Sequence, residues 1–326
     1  MTARLIGSRR AMLKGSVALA GLSAIGGLSA CQPGASTDNG VPIADTEYGQ
    51  VRGAVEDGVN VFKGVRYGAD TSTYRFAAPQ KAQPWEGVAD ALEYGASAPQ
   101  SPGGDGGGLF ADWRPATPLP TSEDCLFLNV WTPAIDDGAR PVMVWFHGGG
   151  FSTGSGSSYA YDGVRLAKRG DVVVVTVNHR LNMFGYMNLT GYGNAFADSP
   201  AAGILDMVQS LQWVRDNISN FGGDPNNVLI FGESGGGSKV CTLLSMPAAK
   251  GLYHRAVVQS GPRIQHPPAT AAAVAAGEVV AKLGLSADTI DQIRTMPVAD
   301  IQAAAQGVAL AGAGPTLDGK NLIVHP

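Results

Sequence analysis

Gly232-Glu233-Ser234-Gly235-Gly236 is the stretch best equipped for covalent chemistry. An apolar strand candidate, residues 227–231, leads into it, and a helix-compatible run, residues 237–246, follows. A serine on so sharp a strand-to-helix turn holds its Oγ out to solvent and leaves the next amide free to donate, which describes a nucleophile elbow. The turn demands small residues on either side, and Gly232 and Gly236 supply them. A Gly-Ser turn matching the five-residue pattern by chance is the alternative, and the strand-before, helix-after context weighs against it. A second stretch, His147-Gly148-Gly149-Gly150-Phe151, directly follows another apolar strand candidate, residues 142–146. Backbone N–H groups in such a loop can face the negative oxygen of a tetrahedral intermediate with no Cβ in the way of substrate. A glycine run after a strand is also an ordinary turn, so this loop gains weight from its agreement with the serine motif.

Both stretches need a scaffold, and the chain offers one. Residues 126–131, 142–146, 172–177, 228–231 and 256–259 are short, largely apolar runs, as buried parallel strands are. Between the third and fourth, Ile204, Met207, Val208, Leu211, Val214 and Ile218 recur on one helical face. Asp206, Arg215 and Asp216 are expected there as solvent-side or end charges. Strand-helix alternation of this kind predicts a doubly wound α/β domain. Upstream, residues 51–53 and 59–62 flank Glu56-Asp57-Gly58 as the arms of an antiparallel hairpin. Beyond Gly261 the chain turns helical and alanine-rich, with Ser286 expected to cap a helix over residues 287–296. Between Ser97 and Ser122, Pro, Gly, Ser and Thr predict a long surface loop or lid, in which Phe110 and Trp113, with Phe151, are candidate aromatic lining or plain packing.

Composition narrows the function classes. With 326 residues, 44% hydrophobic and 15% charged, the chain can bury a large core. Lys and Arg total 23 against 27 Asp and Glu, a net charge of -4, so no basic face for nucleic acid is indicated. No glycine run closes with Gly-Lys-Ser/Thr, and no strand leads into Gly-x-Gly-x-x-Gly, which argues against phosphate-loop and dinucleotide folds. The three cysteines lack metal-ligand spacing, and neither metal nor cofactor is expected. Cys125 and Cys241 could pair in an oxidising compartment or sit as small buried hydrophobes.

The first thirty residues read as a targeting segment. Ser8-Arg9-Arg10-Ala11-Met12-Leu13-Lys14 looks like a twin-arginine export signal, and Leu28-Ser29-Ala30-Cys31 like a lipobox with Cys31 as the lipidated residue. The intervening apolar run, about fifteen residues at roughly 1.5 Å each, is too short for an apolar layer of about 30 Å. The expected organisation is a signal over residues 1–30, a flexible tether over 31–40 and a catalytic domain over 41–326. Export to a bacterial cell envelope, with lipid holding the protein at a membrane without spanning it, follows from that reading.

Taken together, the motifs resemble the type-B carboxylesterases, the family of bacterial para-nitrobenzyl esterases and animal cholinesterases. The likeness covers nearly everything after the tether. It is carried by Gly64-Val65-Arg66-Tyr67, Arg75-Phe76, the run from Glu123 to Trp131, the His147 to Phe151 loop, Trp213 to Ile218, Phe221-Gly222-Gly223-Asp224-Pro225, the serine motif and Gln259-Ser260-Gly261. The resemblance implies an α/β-hydrolase fold with a mixed, mostly parallel sheet, and serine-dependent hydrolysis of small carboxylic esters through an acyl-enzyme. It also implies that Ser234 is the nucleophile and that Gly149, Gly150 and Gly235 supply the oxyanion amides. Glu233 would line the pocket, supported by His147, and Arg75 with Glu123 would form a structural ion pair.

Two departures matter. A serine hydroxyl needs an oriented imidazole to take its proton, and a carboxylate to orient that imidazole. In the family both follow the segment that reads here Gly314-Pro315-Thr316-Leu317-Asp318-Gly319, and the sequence stops at Pro326. His147, His179, His254, His266 and His325 each have another reading, so no base is assigned. The expectation is the N-terminal portion of a longer esterase, a poor catalyst as it stands, with an exposed sheet edge and poor solubility. A catalytically silent binding lipoprotein or a nonfunctional fragment is the competing expectation. Ala98 stands where many family members place the cysteine that bridges to the one in Glu-Asp-Cys, so Cys125 is expected to lack that bond.

Overall fold

Alternating side chains build a sheet with two faces in the computed structural model, which describes residues 37–38, 40–100, 120–309 and 314–326. A small sheet forms from β1 (Thr37–Asp38), β2 (Val41–Thr46), β3 (Gly49–Arg52) and β6 (Val88–Asp90), in that order. Between them in the chain, β4 (Ala54–Glu56) and β5 (Val59–Arg66) make a hairpin around Asp57-Gly58; the expected first arm, residues 51–53, is not part of it, because Val51 and Arg52 pair with β2 and β6 in the small sheet instead. These two join β7 (Phe127–Thr132), β8 (Arg140–Phe146), β9 (Val173–Val177), β10 (Gly223–Glu233) and β11 (Arg255–Gln259) in a seven-stranded sheet. Its order is β11-β10-β8-β9-β7-β5-β4. The four strands from β11 to β9 run parallel, and the β7, β5 and β4 end is antiparallel.

The strand register decides which side chains meet which helices. Val142, Val144 and Phe146 of β8, with Val173, Val175 and Val177 of β9, join the largest core cluster, together with α3 (Ala202–Asn217) and α4 (Gly235–Ser245). Val174 turns the other way, onto α1 (Val164–Gly170), where Trp131, Val59 and Val61 fill a smaller cluster. A further cluster joins α2 (Asn182–Tyr186), α5 (Ala269–Lys282) and α6 (Val298–Ala305) through Phe184, Ala276, Val279 and Ile301. Residues Gly34–Pro326 form one unit, an α/β-hydrolase fold.

Three further sequence expectations change. Asp206 is not on a solvent face of α3: it is wholly buried, its Oδ1 2.6 Å from Nη2 of Arg180. The predicted helix over 287–296 is only a 3-10 turn, Ile290–Arg294. The Ser286 N–H donates to Thr289 Oγ1 at 2.9 Å, a local bond that competes with helix nucleation. Pro297 then pushes Met296 out of helical geometry. Within the expected tether, Thr37 and Asp38 pair with Val41 and Pro42, so the folded unit starts before residue 41. The targeting segment, Cys31, and the stretch holding Phe110 and Trp113 lie outside the described residues. Among the described residues, no helix is long and apolar enough to cross a membrane. Cys125 and Cys241 are buried free thiols, as small hydrophobes are, and Ala98 is buried too.

Candidate active site

Ser234 stands alone between β10 and α4, with φ 53° and ψ -118°. Few L-residues adopt that conformation without an enforcing environment, which here consists of backbone packed on backbone. A Cβ at Gly236 would collide with the carbonyl oxygen of Phe146, and one at Gly232 would lie 2.6 Å from the same atom. The Ser234 N–H donates to Gln259 O at 2.8 Å, and its carbonyl accepts from the Ser238 N–H at 3.1 Å in the first turn of α4. The strand therefore ends and the helix begins at one residue, whose side chain is left exposed.

The glycine loop sits against this elbow. Gly149 and Gly150 take φ values of 87° and 63°, in the left-handed region that excludes most side chains. A Cβ added to Gly235 would strike the backbone N, Cα and O of Gly150, and one on Gly148 would lie 3.7 Å from Ser234 Cβ. The amides of the loop and the amide after the serine thus occupy one small region beside Ser234. That is the arrangement an oxyanion needs, donors fixed before charge develops. Gly149 and Gly150 are exposed, like Ser234.

Buried groups that the sequence reading passed over hold the loop in place. Lys239, in α4, is wholly buried and donates from Nζ to His147 O at 2.7 Å. Burial pushes its ammonium down to about 7. Gln100 brackets Gly154 from both sides, accepting from its N–H at 2.8 Å and donating to its carbonyl at 3.0 Å. The Asn182 N–H donates to Phe151 O at 2.7 Å. A lysine five residues beyond Ser234 in an apolar run was the available signal for the first of these. Loop-to-loop contacts such as that of Gln100 leave no periodic trace.

The histidines do not assemble a base here. His147 and His179 stack with centroids 4.8 Å apart, both fully buried. Burial, with the Lys239 charge beside them, holds both rings well below the usual imidazole range. His254 Nδ1 accepts the Val228 N–H at 3.1 Å. His266 is pushed down to about 4 by burial and by Arg263 and His325. His325 Nδ1 accepts from the His266 N–H at 3.1 Å. Among the described residues, neither a histidine nor a carboxylate hydrogen-bonds Ser234 Oγ. Glu233 faces away from α4 into a cleft of about 290 Å³ on the other side of the sheet, lined also by Trp145, Tyr161, Phe231 and Gln259. That cleft does not include Ser234.

Arg75 and Glu123 pair as a buried fork, with Nε 2.7 Å from Oε1. Nη1 of Arg75 also donates to the carbonyls of Ile293 and Met296, each at 2.8 Å, so the pair pins the 3-10 turn to the segment before β7. No group of three or more potential metal ligands occurs among the described residues.

Comparison with known proteins agrees with this geometry. A family model described as the carboxylesterase family matches residues 40–326. The para-nitrobenzyl esterase of Bacillus subtilis (strain 168) is 41% identical over 294 residues, covering 87% of this chain and 58% of that protein. The phenmedipham hydrolase of Pseudarthrobacter oxydans is 39% identical, covering 78% and 50% respectively. The chain thus spans between half and three fifths of the length of these two relatives. A solved carboxylesterase of Geobacillus stearothermophilus superposes with a TM-score of 0.78 at 39% identity, over 87% of this chain and 57% of that one. A strained serine, a glycine loop packed on it, and a match running from residue 40 to residue 326 place the chain in the carboxylesterase family.

Proposed function

We propose that the protein is a serine hydrolase of small carboxylic esters, with Ser234 as the acyl-accepting nucleophile. The observation that carries this reading is Ser234 itself, held in a strained turn with the Gly149-Gly150 loop against Gly235. In the reaction, Ser234 Oγ bonds to the ester carbonyl carbon while its proton passes to a base. The carbonyl oxygen becomes an oxyanion facing the amides of Gly149, Gly150 and Gly235. The intermediate collapses to an acyl-enzyme as the alcohol leaves with a proton, and water then releases the acid. Each oxyanion donor is worth about 3 to 4 kcal/mol of barrier. The reading assigns this chain the nucleophile and the amides; the base and its orienting acid are assigned to no described residue, and turnover by the 326-residue chain alone is expected to be slow.

A fluorophosphonate tests the nucleophile directly, because only an activated serine reacts readily with it. Labelling at Ser234, lost in Ser234→Ala, is expected of a protein whose base is in place. Labelling that survives in Ser234→Ala overturns the assignment. An intact fold with no labelling at any length of the protein favours the silent binding protein instead.

We also propose that the protein is exported and held at a membrane by lipid on Cys31. The Arg9-Arg10 pair and the small residues before Cys31 support this. Metabolic labelling with a palmitate analogue, abolished in Cys31→Ser, is the expected result.

A further inference from the structure

Phe151, the residue that follows the oxyanion glycines, has two cations around its ring. Lys239 Nζ lies 6.0 Å and Arg263 Cζ 5.1 Å from the ring centroid. Among the described residues, neither cation forms a salt bridge. Arg263 is half-buried, its Nη1 has no hydrogen-bond partner, and burial lowers its affinity for a proton. Tyr186 packs edge-on against the same Phe151 ring at 5.2 Å, and its hydroxyl is buried and unbonded. Thr316 Oγ1 is a third buried polar atom without a partner. It lies two residues beyond Gly314, whose Cα is packed between Phe151 and Arg263: a Cβ there would fall 2.8 Å from the Phe151 ring and 3.0 Å from Arg263 Nη1.

Unmatched donors of this number are costly when buried, about 1 to 3 kcal/mol for each neutral group and more for a charged one. Asp206 is the carboxylate whose field reaches Tyr186, and its oxygens are committed to Arg180. Among the described residues, the cluster therefore has positive charge and free donors but no anion.

We propose that this cluster is a carboxylate-binding subsite, and that the favoured substrates are half-esters of short dicarboxylic acids. The proposal rests on Ser234 being the nucleophile. Gly261 packs so closely on Ser234 that a Cβ there would overlap its carbonyl oxygen. Arg263 follows two residues on, within about 7 Å of chain. A carboxylate a few carbons from the reacting carbonyl would reach the guanidinium. A neutral ester of the same shape would leave the guanidinium unpaired, which is how a polar site discriminates.

The test is binding without turnover. Isothermal titration of the full chain carrying Ser234→Ala would compare monomethyl succinate with its neutral counterpart, dimethyl succinate. The half-ester is expected to bind about tenfold more tightly or better, the worth of one charge-assisted hydrogen bond. Arg263→Gln is expected to erase that preference. Equal binding of the two esters, no binding of either, or a preference that survives Arg263→Gln in a protein with an unchanged melting curve overturns the subsite. Failure of the hydrolase reading has a different signature: the half-ester is still preferred, while Ser234 resists fluorophosphonate in a protein whose base is in place.

Discussion

Arg180 and Asp206 share an ion pair from which water is excluded, with 2% and 0% of their side chains exposed. Asp206 also accepts the Arg180 backbone N–H at 3.0 Å and its Nε at 2.9 Å, while Arg180 Nη1 donates to Ala77 O at 2.8 Å. The residue before Arg180 is His179, stacked on His147 at the head of the glycine loop. The pair thus links α3 to the layer beneath the loop.

Removing one member strands the other. Asp206→Ala is expected to cost about 3 to 5 kcal/mol, since an uncompensated guanidinium remains inside the protein. Replacing both together with Arg180→Met and Asp206→Leu is expected to recover much of that loss. Urea unfolding of the three proteins would check this. A loss below about 1 kcal/mol for Asp206→Ala would mean the pair is solvated.

The fate of Asp206 also shows what periodicity misses. Strand positions, the elbow and the glycine loop were legible because each depends on local pattern: apolar runs for the strands, small residues where backbone meets backbone. Asp206 sits on a helix whose apolar stripe was read correctly, yet α3 is covered on more than that stripe. A charge on its second buried side needs a partner 26 residues away, Arg180, and no local pattern reports a partner at that distance. Lys239 and Gln100 were missed for the same reason. The expected helix near Ser286 failed in the opposite sense, because a short side-chain bond to Thr289 and a proline at position 297 outweighed favourable composition.

Ser234 carries a backbone cost imposed by the turn between β10 and α4. At φ 53° and ψ -118°, a residue with a Cβ is strained by about 1 to 3 kcal/mol. Ser234→Gly is expected to raise stability relative to Ser234→Ala by about 1 kcal/mol. Thermal melts of the two variants side by side provide the comparison. Ser234→Gly less stable than Ser234→Ala would mean that the turn is relaxed.

Lys239 predicts a pH dependence of known sign. Its ammonium is pushed down to about 7 in the folded chain from 10.5 by burial alone. Between those values the unfolded chain holds a proton that the folded chain has released, so folding stability gains from this group as pH rises, by up to about 1.4 kcal/mol per unit. Below pH 7 both states are protonated and the contribution is flat. The difference in stability between the unmutated protein and Lys239→Met should therefore shift in favour of the unmutated protein from pH 7 to 10. Denaturant titrations at pH 6, 7, 8 and 9 would reveal it, and a constant difference would show that Lys239 stays charged.

Strand β11 ends the large sheet with one neighbour, β10, and presents its other edge unpaired among the described residues. It is also the least covered strand of the parallel set, with Val257 42% exposed. Unpaired N–H and C=O groups beside an apolar side chain form a template for another strand, and natural edges are commonly blunted by a charge, often lysine. The 326-residue chain is expected to self-associate through this edge. Val257→Lys would place a charge on the exposed face without touching the Ser234 to Gln259 backbone bond. Size-exclusion chromatography with light scattering should show the monomer fraction rising in the variant at equal concentration, with an unchanged melting curve. If the unmutated chain is already monomeric at high concentration, β11 is protected by something other than its own sequence, and the edge is not the weak point of this fold.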